Sequence, residues 1–334
     1  MRAAVVGVAG ERLDPFERDL FRRLPPAGFI LFRRNLADPA QLAALVAELK
    51  ALFPGRWVPV LVDQEGGRVQ RLRPPAWTGW PSAAALARTA DPEALTLRAA
   101  FGLGSDLAAH GIDVDCAPVL DLAVPGATPA IGDRAFAADP ARVARLGGAF
   151  ARGLALAGVA PVMKHLPGHG RASADSHLEL PVVDASIADL RATDWLPFRA
   201  LANAVPFAMT AHVLYEALDP RRPATLSPTV IGDIVRGEIG FAGILLSDDL
   251  DMHALQGPVP ERAAAAIDAG CDLALQCGGD AAVAAAVLAA VPPLPAARLD
   301  RLQAARPAIP PTAQPGLLLA RAREIAAEVG AHLA

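Results

Sequence analysis

The sequence predicts a (β/α)8 barrel, and three observations carry that expectation. Eight short apolar runs, many rich in β-branched residues, recur along the 334 residues with helical patterns between them. The runs are continuous rather than alternating, as strands read when a parallel sheet is covered on both faces. Polar residues able to do chemistry gather just after the runs, where such a barrel places its working loops, and the starts of the runs carry no such set.

Residues 3–8 form the first run, and charge arrives at Glu11 and Arg12 too early for a secretory signal, so it reads as a strand. Residues 28–32 give the second, and 39–52 a helix opened by Asp38-Pro39 as cap and first helical residue. The third run, 57–62, leads into Asp63-Gln64-Glu65-Gly66-Gly67-Arg68. A helix over 92–110 precedes the fourth run, 112–114, which is followed by Asp115 and Asp121. A Pro/Gly loop over 124–136 carries Arg134, and a helix over 140–157 leads to the fifth run, 159–163. A helix over 187–204 precedes the sixth, 207–210, with His212 beyond it. A helix over 228–238 precedes the seventh, 243–246, which ends in Ser247-Asp248-Asp249, and the eighth is 272–275. Residues 291–294 read as a helix stop and 306–316 as a surface tether to a last helix over 317–329. We expect one domain over 1–334, with a helical tail from about residue 295.

With 53% hydrophobic and 20% charged residues the chain can bury a large core and is not disordered. Mean hydropathy is +0.32, yet no stretch reaches the roughly 18 uninterrupted apolar residues of a membrane span. A net charge of -4 and the absence of a basic run argue against nucleic acid, whose phosphates need clustered Lys and Arg. Three cysteines, Cys116, Cys271 and Cys277, lie in or beside apolar runs and read as core thiols in a reducing compartment. The expectation is a soluble, cytoplasmic, monomeric protein acting on a small molecule, with no nucleic acid, membrane or cofactor.

The richest stretch is 164–177, Lys-His-Leu-Pro-Gly-His-Gly-Arg-Ala-Ser-Ala-Asp-Ser-His. Three of the seven histidines fall here, on a backbone made irregular by Gly and Pro, and almost nothing in it is suited to burial. Lys164 stands out because the only other lysine is Lys50, so a compact ammonium is used where the chain otherwise uses arginine. Asp175 and His177 are placed as a base and its orienting carboxylate, or as a loop brace with a surface histidine. His165, His169, Asp175 and His177 could also be read as metal ligands, but the spacing matches no zinc pattern, and Pro167-Gly168 prevents one helix face from presenting two of them. Asp248, fixed at a strand end, suits a glycosidase nucleophile; alternatively it belongs with Asp249 and Asp251 to an acidic helix start. Asp63, Arg68, Arg71 and Arg134 could supply acceptors and donors to a hydroxyl-rich ligand, or pair at the rim. His212 is either a wall of the site or a satisfied core histidine.

These segments together resemble the bacterial β-N-acetylglucosaminidases of glycoside hydrolase family 3. The likeness is carried by 164–170 followed by Asp175-Ser176-His177, and by 28–32, 63–71, 117–121, 134–136, 209–213 and 247–250, in family order. It implies a retaining exo-hydrolase for terminal β-linked N-acetylglucosamine, working in cytoplasmic peptidoglycan recycling. By the same resemblance Asp248 is the nucleophile, His177 paired with Asp175 is the acid/base, and Asp63, Arg71, Arg134, Lys164 and His165 bind the sugar. Leu166 and the sequence Asp251-Met252-His253 depart from the usual pattern, which bears on the aglycone and 2-acetamido contacts. Two alternatives remain open: a phosphorylase using the same site, since a histidine acid/base does not repel phosphate, and a metal-dependent barrel hydrolase or a sugar-binding protein without turnover.

Overall fold

A computed structural model describes the chain apart from residues 128, 173, 177, 309–313 and 334. Among the described residues eight parallel strands close a barrel: β1 (Arg2–Gly7), β2 (Pro26–Leu31), β3 (Val60–Val62), β4 (Val114–Asp115), β5 (Ala160–Leu166), β6 (Phe207–Thr210), β7 (Ile244–Asp249) and β8 (Leu273–Gln276). Each pairs with its neighbours in sequence, and β8 returns to β1 with Val5 opposite Leu275. All six residues of β2 and all seven of β5 are buried, as expected of strands covered on both faces.

The Asp-Pro signals start helices as expected. Asp38, Asp91 and Asp139 each accept backbone N–H groups of the first turn at the heads of Pro39–Ala51, Pro92–Ala109 and Pro140–Leu156. Each such cap stabilises its helix by about 1 kcal/mol. The last helix, Pro315–Ala331, lays Ile325 over Gly102 of Pro92–Ala109 and pairs Glu328 with Arg98. The tether expected over 306–316 lies partly outside the described residues. All three cysteines are buried free thiols.

Four differences separate the observed elements from the expected ones, and the first two have a proline as their cause. The third strand starts at Val60 rather than 57, because Pro59 has no N–H to donate and the Trp57 N–H goes to the Gln303 side chain. The helix expected over 187–204 is two, Ile187–Ala192 and Trp195–Leu201. Pro197 cannot donate to the carbonyl of Thr193, and Thr193 and Asp194 instead turn their side chains to Arg171, with Asp194 Oδ2 2.7 Å from its Nε. The helix before β7, Val230–Glu238, is wound as a π-helix. Finally, β5 and β7 run on through Leu166 and Asp249, so Lys164, His165 and Asp248 are strand residues rather than loop residues. Register shifts occur at these same ends, between Met163 and Leu166 against β6 and between Leu246 and Asp249 against β8.

Candidate active site

Asp63 leaves β3 at the mouth of the barrel and is followed by a small hairpin, Gln64–Gly66 against Val69–Gln70. Gln64 pins this hairpin: its Oε1 accepts from the N–H groups of Arg71 and Leu72, and its Nε2 donates to the Leu72 carbonyl. Gly66 has φ +91°, and a Cβ there would lie 2.1 Å from the Pro81 carbonyl oxygen, so only glycine fits the turn. Alternation along the extended chain puts Asp63 and Glu65 on one side, both facing the end of β5.

From there an unbroken row of opposite charges crosses the barrel mouth. Arg71 Nη2 is 2.8 Å from Asp63 Oδ2, and Lys164 Nζ is 3.0 Å from Asp63 Oδ1 and 2.7 Å from Glu65 Oε1. Arg134 grips Glu65 with two parallel bonds of 2.8 Å. Beyond it, Arg134 Nη2 lies 3.5 Å from His165 Nε2, and His165 Nδ1 is 2.6 Å from Asp121 Oδ2. Asp121 Oδ1 accepts the backbone N–H groups of His165 and His169. The Lys164–His165 peptide is cis.

Burial explains the strength of this arrangement and corrects one expectation. The stretch 164–177 contains deeply buried positions: Lys164 is 2% exposed, His165 5%, His169 3% and Ser176 4%. Charge is tolerated there because each group has opposite partners at hydrogen-bonding distance. Burial opposes the charge on Lys164, but the carboxylates of Asp63 and then Glu65 outweigh it and hold its pKa above the ordinary value. Burial likewise opposes ionisation of Glu65, yet Arg134 and then Lys164 hold it at about 2. The Lys164 and Arg71 charges also keep Asp63 below the ordinary carboxylate range against burial. Asp121 is lowered, again against burial, by the His165 ring and its hydrogen bond.

Asp248 stands on β7 across the cleft. Its Oδ1 accepts the N–H of Asp249, its own N–H donates to Thr210 Oγ1, and its carbonyl accepts from Ser247 Oγ. Burial raises its pKa, but His165 and His212 prevail and the carboxyl stays lowered. His212 is fully buried, with Nε2 donating to the Asp249 carbonyl and Nδ1 on Thr225 Oγ1. It is therefore a core histidine with both nitrogens engaged, and it braces the Asp248–Asp249 peptides from behind.

A cleft of about 220 Å³ opens between these groups. Asp63, Arg71, Arg134, Lys164, His165, Asp175 and Asp248 all line it, together with apolar surface from Ile30, Phe32, Met209, Met252 and Leu275. His177 lies outside the described residues. Arg68 also lines the cleft, and pairs with Asp133 at 2.8 Å. Among the described residues no group of three His, Cys, Asp or Glu side chains is placed to hold a metal ion. Sequence reasoning left three participants unassigned: Glu65, Asp121 and Asp249. Glu65 was open to detection from its i, i+2 spacing to Asp63, whereas the partnership of Asp121 with His165 depends on tertiary pairing.

A parallel barrel whose strand ends converge carboxylates and cations on a small polar cleft is built as a barrel enzyme for a hydroxyl-rich substrate. The family model for the glycosyl hydrolase family 3 N-terminal domain matches residues 16–304. The chain is 45% identical over 291 residues to a β-hexosaminidase of Alkalilimnicola ehrlichii, covering 84% of this chain and 82% of that protein. It is 40% identical over 304 residues to a β-hexosaminidase of Pseudomonas aeruginosa, covering 90% of each. Among solved structures it is similar to NagZ from Neisseria gonorrhoeae in complex with N-trifluoroacetyl-D-glucosamine, with a TM-score of 0.90, 33% identity and coverage of 100% of this chain and 98% of that one. The chain belongs to glycosyl hydrolase family 3, and it is a glycoside hydrolase.

Proposed function

We propose that the protein is a retaining exo-β-N-acetylglucosaminidase that releases terminal N-acetylglucosamine from peptidoglycan fragments in the cytoplasm, as one barrel domain acting as a monomer without a cofactor. The observation that carries this reading is the placement of the Asp248 carboxylate, held lowered in pKa at the end of β7, facing a cleft whose other wall is the row Arg71, Asp63, Lys164, Glu65 and Arg134. Relatives called β-hexosaminidases, and a neighbour crystallised with an N-acylglucosamine, support the sugar class. The peptidoglycan source rests on the sequence resemblance.

In this reading Asp63, Arg71, Arg134, Lys164 and His165 hold the sugar, and the preference for a terminal residue rests on the sequence resemblance. Asp248 attacks the anomeric carbon while His177, oriented by Asp175, protonates the leaving oxygen. The glycosyl-enzyme ester is then hydrolysed by a water that His177 deprotonates, with net retention. Imidazole as a group, with an unperturbed pKa of about 6.5, is suited to both giving and taking a proton around neutral pH.

The test is intact-protein mass after brief incubation with an activated 5-fluoro N-acetylglucosaminide, followed by peptide mapping. A sugar adduct on the peptide carrying Asp248 is expected. Turnover without an adduct, or an adduct elsewhere, overturns the nucleophile assignment.

A further inference from the structure

His169 takes no part in the chemistry described above, yet it is buried beside it. Its ring meets that of His165 edge-on at 5.7 Å, and its backbone N–H donates to Asp121 Oδ1 at 2.6 Å. Its Nε2 lies 3.2 Å from Ser176 Oγ, while its Nδ1 is buried without a hydrogen-bond partner among the described residues. Such an orphaned nitrogen costs on the order of 1–3 kcal/mol, which a phenylalanine or leucine filling the same space would avoid. Packing alone therefore does not account for a histidine here, and the bond from Nε2 does.

The two ends of that bond differ in how they are held. Residues 168–171 are fixed to the barrel at each position. The Gly168 carbonyl accepts from the Tyr215 hydroxyl at 2.7 Å, and Arg171 Nε is 2.7 Å from Asp194 Oδ2. Gly170 lies so close to Leu122 that a Cβ would be 2.2 Å from its carbonyl oxygen. Ser176 is seven residues further along than His169. Its hydroxyl meets His169, and its carbonyl accepts the N–H of Ala254 at 3.3 Å. In the chain Ser176 is flanked by Asp175 and His177.

We propose that His169 is a positioning residue: through Ser176 Oγ it holds Ser176 and the adjacent Asp175 at the cleft wall, and so controls proton delivery to the leaving group. This rests on the reading of Asp175 and His177 as the acid/base pair. Burial, and then the His165 ring, lower the His169 pKa to about 4, so the imidazole is neutral near neutral pH and its bond to Ser176 does not change there.

The experiment compares kcat/KM across aryl β-N-acetylglucosaminides running from very good to poor leaving groups, for wild type, Asp175→Ala, Ser176→Ala, His169→Phe and His169→Gln. Proton delivery matters most for poor leaving groups, so Ser176→Ala and His169→Phe should lose about tenfold to a hundredfold there and change little on the best leaving group. His169→Gln, whose amide nitrogen reaches about as far as Nε2, should keep most of the activity on poor leaving groups. A uniform loss across the series, or no loss, in Ser176→Ala and His169→Phe while Asp175→Ala shows the leaving-group dependence overturns the proposal. No such dependence in Asp175→Ala overturns the acid/base reading itself. If His169→Phe does not fold, Ser176→Ala, which removes one hydroxyl, decides by itself.

Discussion

His165 Nδ1 donates to Asp121 Oδ2 at 2.6 Å, so that in the neutral ring the lone pair belongs to Nε2, which lies toward Arg134 and the cleft. The carboxylate therefore chooses the tautomer that His165 presents to substrate. Asp121→Asn keeps an oxygen for the backbone N–H groups of His165 and His169 but offers an amide N–H to Nδ1, which favours the opposite tautomer. We expect a loss of about 1–3 kcal/mol in urea unfolding and a fall of about tenfold or more in kcat/KM. The tautomer switch is read directly by nitrogen NMR of the labelled imidazole, and an unchanged His165 signal would sink the argument.

Asp248→Ala should abolish turnover of every substrate, because Asp249, the other carboxylate at the end of β7 that lines the cleft, has its Oδ1 taken by the N–H groups of Asp251 and Cys277 and is lifted in pKa to about 7. His177→Ala should be slow on poor leaving groups and partly restored on very good ones, since those depart without a proton. Full activity of Asp248→Ala in a nitrophenyl glycoside assay would refute the assignment.

Acid stability should follow the charge row. The pKa of Glu65 falls from 4.5 to about 2 on folding, against burial, through Arg134 and then Lys164. Since the folded value is the lower one, its contribution is complete above the unfolded pKa and vanishes as pH falls toward about 2. That single group supplies roughly 3 kcal/mol at neutral pH. Arg134→Ala should flatten the decline in Tm between about pH 5 and about pH 3. A Tm profile that keeps its wild-type slope in that variant would contradict this.

Asp249 has the opposite sign. Burial first, then the charges of Asp251 and Asp248, lift its pKa to about 7. Its folded value lies above the unfolded one, so the stability it contributes is present at low pH and is lost as pH rises from about 4 through about 7. Asp249→Asn keeps an Oδ1 to accept the N–H groups of Asp251 and Cys277 and cannot ionise. Its Tm should exceed that of wild type at about pH 8, with the gap closing near pH 5. An equal gap at both values would count against a raised Asp249.

Two helical glycines should respond with opposite signs to alanine. At Gly153 a Cβ would lie 2.4 Å from the Leu97 carbonyl oxygen and 2.8 Å from the Phe101 N, where Pro140–Leu156 crosses Pro92–Ala109. Gly153→Ala should cost about 1–3 kcal/mol through overpacking. At Gly232 nothing lies within 4 Å, so Gly232→Ala should be neutral or stabilise by up to about 1 kcal/mol. Denaturant midpoints for the pair check both signs.

The barrel was legible in the sequence because parallel strands buried on both faces leave continuous apolar runs, and the Asp-Pro pairs mark helix starts independently. The lengths of β5 and β7 were not legible. A strand that continues through Lys164 and His165 looks like a loop until Asp63, Glu65 and Asp121, which are distant in sequence, are seen to neutralise them. The break at Thr193 was partly foreseeable from Pro197, but its use in holding Arg171 was not. Seven of the eight expected site residues line one cleft because strand ends and the loops that follow them bring them there, whatever their separation in the chain. Asp121 escaped assignment because its importance lies in what it holds, the Nδ1–H of His165 and the backbone N–H groups of His165 and His169.

The charge row has a further consequence in terms of electric potential. Asp63, Glu65, Asp121 and Asp248 are each held ionised near neutral pH, against the cations Arg71, Arg134 and Lys164. Among these described groups the negative charges exceed the positive by one, before Asp175 is added. A neutral sugar crossing this region gains little from the excess, but one whose anomeric carbon is becoming cationic gains steadily, so the fixed field is matched to the moment of bond breaking. Once Asp248 is esterified in the glycosyl-enzyme, the remaining carboxylates Asp63, Glu65 and Asp121 are matched one for one by Arg71, Arg134 and Lys164, so the excess is present while the bond breaks and withdrawn when the acceptor arrives.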